Sequence, residues 1–333
     1  MIFLLAPLAG FTDAPFRKMC ADGGADGTYT EMVSAAALAH GNVPTRLMLE
    51  KMEGEGPLAC QIFGASECDV AAAAREIEKV ADRFVELNLN AGCPMQKIVD
   101  SGCGGRLVED PPKVYRLLKA MKENTSLPVT LKTRLGMHRA TPAIMELLDA
   151  AESAGAAKII VHARSVGQKH GGPLNLELLA EVAARARIPV IGNGSVKTTD
   201  DVAAMAAAGV AGVMIGRAAL AEPTVFARLS GRPCGKIPGP AETAVRHLDL
   251  VLDFYACLAA RFPEAHVPDA DGIASIKMHT HLFRYFSGMP GAVKLRSRLS
   301  SIRTLAEVRD AMAPFAAATG DAARTAQPAA PQN

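Results

Sequence analysis

Eight short apolar runs, at 2–6, 27–31, 58–63, 84–90, 128–133, 157–162, 188–192 and 211–215, alternate with stretches of helical periodicity before residue 217. Short apolar runs bounded by Gly, Pro, Asn and Asp read as buried strands, and a 3.6-residue apolar period reads as helix. Eight such alternations over roughly 220 residues predict an α/β fold, a closed (β/α)8 TIM barrel of parallel strands ringed by helices. The competing doubly wound sheet carries Gly-x-Gly-x-x-Gly after its first strand. Here Leu5-Ala-Pro-Leu-Ala-Gly10 takes that place.

The predicted barrel helices cover 66–80, 110–123, 141–154, 175–186 and 198–208. Ser66 with Asp69, Asp110 before Pro111-Pro112, Thr141 before Pro142, and Thr199 before Asp200-Asp201 are their start signals. Gly155 and Gly209 stand where helices stop. After Pro233 the texture changes. A Gly/Pro linker, Gly235 to Pro240, leads into helical periodicity at 241–261, 272–287, 291–301 and 304–317 without strand runs. The expected organisation is a barrel over 1–236, a small C-terminal helical domain over 241–318, and a disordered Ala/Pro/Gln-rich tail over 319–333.

The 333 residues, 49% hydrophobic, suffice for one large domain plus an appendage. A net charge of +2 is too small for bulk charge to argue nucleic-acid binding, so any basic surface is local. No run of about 20 apolar residues spans a bilayer. Met1-Ile-Phe-Leu-Leu-Ala-Pro lacks a charged leader and reads as a first strand, not a signal peptide. Seven cysteines without a Cys-x-x-Cys pair read as reduced thiols in a cytoplasm, with no metal site.

In such a barrel the chemistry lies where strands end. The runs end in Ala6-Pro-Leu-Ala-Gly10, Thr30-Glu31-Met32, Gln61-Ile-Phe-Gly64, Asn90 with Cys93, Lys132-Thr-Arg134, His162-Ala-Arg164, Gly192-Asn-Gly-Ser195 and Gly216-Arg217. Cys93 is the pointed feature, a thiol in a Gly92/Pro94 turn just outside the sheet, where a ligand can touch it. Glu31 is read either as support for a strand-end network or as an acceptor for backbone amides. Gly192, Gly194 and Gly216 let backbone amides approach a phosphate, Arg217 can fork onto its oxygens, and a helix starting near Ala218 adds partial positive charge. Lys132 can neutralise an anionic ring, and Gln61 with Asn90 can hydrogen-bond the edge of a flat heterocycle. Reduced flavin mononucleotide (FMN) meets both demands.

These strand ends resemble those of the dihydrouridine synthases, flavin enzymes that reduce uridines in transfer RNA. The matching segments are Ala6-Pro-Leu-Ala-Gly10, Gln61-Ile-Phe-Gly64, Asn90-Ala-Gly-Cys-Pro94, Lys132-Thr-Arg-Leu-Gly136, Val161-His-Ala-Arg164, Pro189-Val-Ile-Gly-Asn-Gly194 and Val213-Met-Ile-Gly-Arg217. They span nearly the whole barrel in order.

The resemblance implies that Cys93 is the proton donor. It also implies that Pro7, Leu8, Ala9, Gln61, Lys132, Asn193, Gly194, Ser195, Gly216 and Arg217 contact FMN, with His162 and Asn90 lining the same pocket. The mechanism the resemblance implies is that FMN is reduced by NADPH or NADH, hydride goes to uracil carbon 6, and Cys93 protonates carbon 5. An ordinary thiol, with a pKa of ~8.5, can act as an acid at neutral pH. The target base must be extruded from folded RNA at a cost of roughly a few kcal/mol.

Lys97, Arg134, Arg164, Lys277, Arg284, Lys294, Arg296 and Arg298 are the candidate phosphate contacts. In the helical region His279, His281 and Arg303 join the basic residues, with Phe283, Tyr285 and Phe286 among them. An ordinary solvated helix face is the plainer reading of that cluster.

Two positions depart from the family pattern. Asn88 stands where Asp is usual, bearing on support of the Cys loop, and Ser195 where an acidic residue is usual, bearing on a cofactor hydrogen bond. Arg106 also sits in Ser101-Gly-Cys-Gly-Gly-Arg106 where small residues are common. The expected protein is a monomeric cytoplasmic tRNA-modifying enzyme. The alternatives are an FMN barrel acting on a free small molecule, a synthase acting on ribosomal RNA, and a non-catalytic RNA-binding protein.

Overall fold

The computed structural model describes residues 1–233 and 237–325. They fall into two compact units, one holding Met1–Ala219 with Thr224–Pro233, the other Leu220–Pro223 with the described residues from 237 on. The first is a parallel barrel. Its strands are β1 Ile2–Leu5, β2 Thr28–Tyr29, β3 Val33–Ser34, β4 Leu58–Phe63, β5 Glu86–Ala91, β6 Val129–Arg134, β7 Ile159–His162, β8 Val190–Asn193 and β9 Gly212–Ile215. They hydrogen-bond in the order β1-β9-β8-β7-β6-β5-β4-β2, all parallel, with β3 also on β4. A parallel bridge between Leu4 and Gly27 closes the ring. It is reinforced by the Leu5 N–H to Gly27 carbonyl bond at 2.9 Å and the Asp26 N–H to Phe3 carbonyl bond at 2.8 Å.

The sequence predicts eight staves and the structure has them, but the second is broken. The run expected at 27–31 pairs only over Thr28–Tyr29, and the chain rejoins β4 at Val33–Ser34. Ser66 and Asp110 cap as expected, accepting from the Asp69 and Lys113 amides at 3.2 and 2.9 Å. Thr198, not Thr199, caps the helix Thr199–Ala207, in a reciprocal box with Asp201. Thr141 is not a cap. It makes an antiparallel bridge to His138, Ala143 donates back to the Leu135 carbonyl at 2.8 Å, and the helix begins only at Ile144. A helix at Ala14–Asp22, unmarked by strong periodicity, fills the first crossover. Within it Arg17 is buried against Glu55 at 2.5 Å and also donates to the Thr12 carbonyl, which ties down the exit of β1.

The second unit is helical: Pro240–Arg261, Ala270–Tyr285, Ala292–Leu299 and Leu305–Thr325. Its core joins Leu248, Val251, Met278, Leu282, Phe286 and Phe315, the last two rings stacked at 4.0 Å. Helical backbone through Thr325 occupies 319–325, where composition predicts disorder. The rest of the expected tail, 326–333, and residues 234–236, which take in the start of the linker, lie outside the described residues. Among the described residues no helix is long and apolar enough to cross a membrane.

Candidate active site

Alternation along each strand turns every second side chain into the barrel. Leu4, Ala6, Tyr29, Ala59, Ile160, Ile191 and Met214 pack there as one cluster. Nearer the strand ends the inward positions become polar: Gln61 on β4, Asn90 on β5, Lys132 on β6, His162 on β7 and Asn193 on β8. Register alone sets some of these side by side, since Asn90 pairs with Lys132 and His162 with Asn193 across their strands.

Cys93 follows the end of β5 and is partly exposed. Four hydrogen bonds fix its loop. The Asn90 side-chain oxygen accepts from the backbone N–H groups of Gly92 and Cys93 at 3.1 and 3.0 Å. The Cys93 carbonyl accepts from Gly105 N–H at 2.9 Å, and the Gly92 carbonyl accepts from Arg134 Nε at 2.8 Å. Gly104, at φ +55°, lies against the loop so closely that a Cβ there would stand 3.1 Å from that of Cys93. The Ser101–Arg106 segment therefore supports the thiol. Arg106 points away from this role, exposed and paired with Glu109 at 2.7 Å.

Across the mouth, Lys132 Nζ donates to Asn193 Oδ1 at 3.2 Å, and Asn193 is held by the Met214 carbonyl at 2.8 Å. Asn90 donates to Gln61 Oε1 at 2.8 Å, so the two amides expected at a ligand edge are joined. Leu8 and Ala6 lie within 3.6 Å of where a Cβ on Gly216 would be, which brings the Pro7-Leu8-Ala9 turn beside the exit of β9. Arg217 is exposed at the head of a five-residue helix. Gly194 at φ +128° packs against His162, only 3.0 Å from a would-be Cβ.

The electrostatics of this rim are one-sided. Burial first, then the charge of Arg134, pushes Lys132 down to about 7. Arg134 is lowered to about 10, mainly by burial, with Arg164 and Arg217 adding to it. His162 and His170 are held below the ordinary imidazole range by burial and then by the surrounding cations. Among the described residues, no carboxylate figures in the groups acting on these four. The rim is a concentration of positive charge suited to an anion.

Several residues do something other than the sequence suggests. Arg134 and Arg164, expected on RNA phosphates, are buried in the strand-end loops. Arg134 spends donors on the carbonyls of Gly92, Ser165 and Lys169. Arg164 spends its own on the Gly172 carbonyl at 2.8 and 3.0 Å and on Ser195 Oγ at 2.9 Å. Ser195 thus accepts from Arg164 within the protein. Asn88 is fully buried in the barrel and bonded to Gln61 and Thr130, so it is linked to the Cys loop through Gln61 and Asn90 rather than directly. Glu31, by contrast, follows one of its two expected readings and accepts the Gly10 amide at 2.5 Å.

His170, whose ring lies 6.3 Å from that of His162, is a rim residue that strand ends do not reveal. The glycine-rich loop after β7, Gly167 to Gly172, is the signal that marks it. Lys97 is exposed. In the helical unit Arg284, Lys294, Arg296 and Arg298 are exposed or partly so, and Lys277 lies 4.9 Å over the Tyr255 ring. Arg284 and Arg296 flank Phe283 at 5.8 and 5.1 Å. His281, Tyr285 and Phe286 are core instead, with His281 edge-on to His247 at 4.4 Å.

A parallel barrel that gathers a loop thiol, paired amides and clustered cations at its strand ends has the architecture of a (β/α)8-barrel enzyme. The family model described as Dihydrouridine synthase (Dus) matches residues 4–320, and the chain belongs to that family. A relative from Treponema pallidum (strain Nichols) is 34% identical over 66% of this chain and 68% of its own length. One from Mycobacterium tuberculosis (strain CDC 1551 / Oshkosh) is 32% identical over 98% of this chain and 87% of its own. One from Rhodobacter capsulatus is 33% identical over 76% of this chain and 80% of its own. Each of the three is called a probable tRNA-dihydrouridine synthase.

Proposed function

We propose that this chain reduces specific uridines of transfer RNA to 5,6-dihydrouridine, with Cys93 as the acid. The carrying observation is a thiol whose loop is held by four backbone hydrogen bonds at the mouth of a barrel whose rim gathers Lys132, Arg134 and Arg164. The relatives' names support tRNA as the substrate.

The donor set fits FMN. Gly194, Ser195, Gly216 and Arg217 would hold its phosphate, and Ser195 accepts from Arg164 while keeping its own hydroxyl proton to give. Pro7, Leu8 and Ala9 would line its ring, with Gln61, Asn90, Lys132, His162 and Asn193 around the polar edge. Lys132 in particular, pushed down to about 7, regains its charge beside an anion. When bound, FMN reduced by NADPH or NADH supplies the hydride for uracil carbon 6.

The protein's own part is then positioning and proton transfer. Cys93 Sγ gives its proton to carbon 5 as enolate charge collapses onto the ring, and the thiolate left behind is reprotonated from solvent. Lys97, Lys277, Arg284, Lys294, Arg296 and Arg298 meet RNA phosphates. The chain works as a monomer in the cytoplasm.

The test is to map dihydrouridine in the RNAs of a deletion strain complemented with wild type or Cys93→Ala, and to follow flavin bleaching by NADPH in the purified proteins. Both strains lacking wild type lose the modification at the same few tRNA sites, while the Ala variant still bleaches. Full modification by Cys93→Ala would show that another group is the acid, and sites confined to ribosomal RNA would overturn the substrate.

A further inference from the structure

A run of buried polar side chains crosses the barrel interior from β4 to β6. Gln61 on β4, Glu86, Asn88 and Asn90 on β5, and Thr130 on β6 form a continuous chain of hydrogen bonds, every member at most 5% exposed. Cys93 N–H donates to Asn90 Oδ1 at 3.0 Å, Asn90 Nδ2 to Gln61 Oε1 at 2.8 Å, and Gln61 Nε2 to Asn88 Oδ1 at 2.7 Å. Asn88 Nδ2 then donates to Thr130 Oγ1 at 2.7 Å, and the Thr130 hydroxyl to Glu86 Oε1 at 3.1 Å. Glu86 also accepts from the Tyr29 hydroxyl and from Lys158 Nζ at 2.5 Å.

The direction of this chain is forced from its buried end. An ionised carboxylate only accepts, so Thr130 must spend its single proton on Glu86 and has only lone pairs left for Asn88. Asn88 must therefore offer its NH2 group there and its oxygen to Gln61. By the same logic Gln61 offers oxygen to Asn90, and Asn90 is left with its oxygen toward the loop. A carboxamide flipped by 180° has nearly the same shape, so hydrogen bonds and not shape choose between the two states: the Gly92 and Cys93 N–H groups at the loop end, with Met32 Sδ 3.0 Å from Asn90 Nδ2, and Glu86 at the buried end. In the flipped state the Asn90 NH2 would face the Gly92 and Cys93 N–H groups, donor against donor, in a buried setting where the clash is costly.

We propose that Glu86, acting through Thr130, Asn88 and Gln61, fixes the orientation of Asn90 and thereby the position of the Cys93 thiol. These four are positioning residues, and their role at the thiol rests on the reading of Cys93 as the acid. The same polarity accounts for the amide of Asn88. A carboxylate at that position has no N–H to give Thr130, so an amide is what this chain's polarity requires.

The test uses the full-length holoenzyme and reads hydrogen exchange of the Cys93 N–H beside single-turnover uridine reduction. Thr130→Val removes the link to Glu86 with little change of shape, and Thr130→Ser restores it. Glu86→Gln keeps the size but lets position 86 donate, so the direction is no longer forced. Tyr29→Phe leaves the chain whole and serves as the control.

Thr130→Val and Glu86→Gln each speed Cys93 N–H exchange and slow uridine reduction by about tenfold, as expected for one lost buried hydrogen bond. Reduction of the flavin by NADPH is unchanged, and Thr130→Ser and Tyr29→Phe behave as wild type. Unchanged exchange at Cys93 in either folded variant overturns the proposal. Activity surviving in Cys93→Ala would instead remove the acid assignment while leaving the exchange result readable.

Discussion

The Arg134 guanidinium donates from Nε to the Gly92 carbonyl at 2.8 Å, one residue before the thiol that the barrel presents at its mouth. Its Nη1 reaches the Ser165 and Lys169 carbonyls at 3.0 and 2.6 Å, so one side chain ties the loop after β5 to the loop after β7. Arg134→Met leaves buried carbonyls without donors and lowers stability by about 3 kcal/mol, read as a lower thermal midpoint. Arg134→Lys recovers little, because an ammonium lacks the planar fork that spans these directions. A midpoint unchanged in the Met variant would show that the clamp carries no energy.

Lys132 gives the flavin-free protein a distinctive pH dependence. Its ordinary pKa near 10.5 is lowered to about 7 in the fold, so between those values the unfolded chain binds the extra proton. Stability from this residue therefore rises with pH across that window, and is lowest below about 7, where the charge stays buried. Lys132→Met removes that slope and stabilises the apoprotein at neutral pH. Thermal midpoints of the two proteins compared across the window would contradict this if their difference stayed constant.

Gly194 separates backbone shape from chemistry. At φ +128°, an added Cβ would stand 2.7 Å from Leu174 Cδ2 and 3.0 Å from His162 Cδ2, so Gly194→Ala distorts the β8 exit. The variant purifies with a much lower ratio of flavin to protein absorbance. Gly231→Ala, at φ +68° with nothing within 4 Å of its Cβ, keeps its flavin. Equal flavin content in both variants would remove Gly194 from the cofactor site.

The cations of the helical unit make a salt-dependence prediction. Replacing Arg284, Arg296 and Arg298 by Ala flattens the slope of log affinity against log salt for tRNA by about 0.7–0.9 for each phosphate no longer neutralised. Their helices stay folded, since Leu282, Leu295 and Leu299, not the arginines, form the core there. A slope equal to wild type would make this face an ordinary solvated surface.

The strands β4 to β9 and the residues at their ends are legible in the sequence because a barrel writes itself locally. Each stave is a short apolar run, and inward positions become polar where the strand leaves the core. The misreadings share one cause. Thr141 has the look of a cap, but the loop doubles back and pairs it with His138. Tyr285 and Phe286 interleave with arginines in sequence, yet helix periodicity turns them into the core while Phe283 meets Arg284 and Arg296.

The alternation of strand and helix, the strand-end motifs and the place of Cys93 in a turn outside the sheet are all written in the order of the residues. They follow from propensity and periodicity, which act over a few positions. The partners of the long polar side chains are set at a different level, by the packing of one strand or loop on another. Arg134 and Arg164 have the same composition as surface phosphate contacts, but packing removes them from water, and a buried donor takes whatever carbonyl the neighbouring loop supplies. Asn88 likewise stands out in sequence only as an amide where Asp is usual, with its partners unspecified. Its place between Gln61 and Thr130 exists only because the barrel sets β4, β5 and β6 side by side in one register.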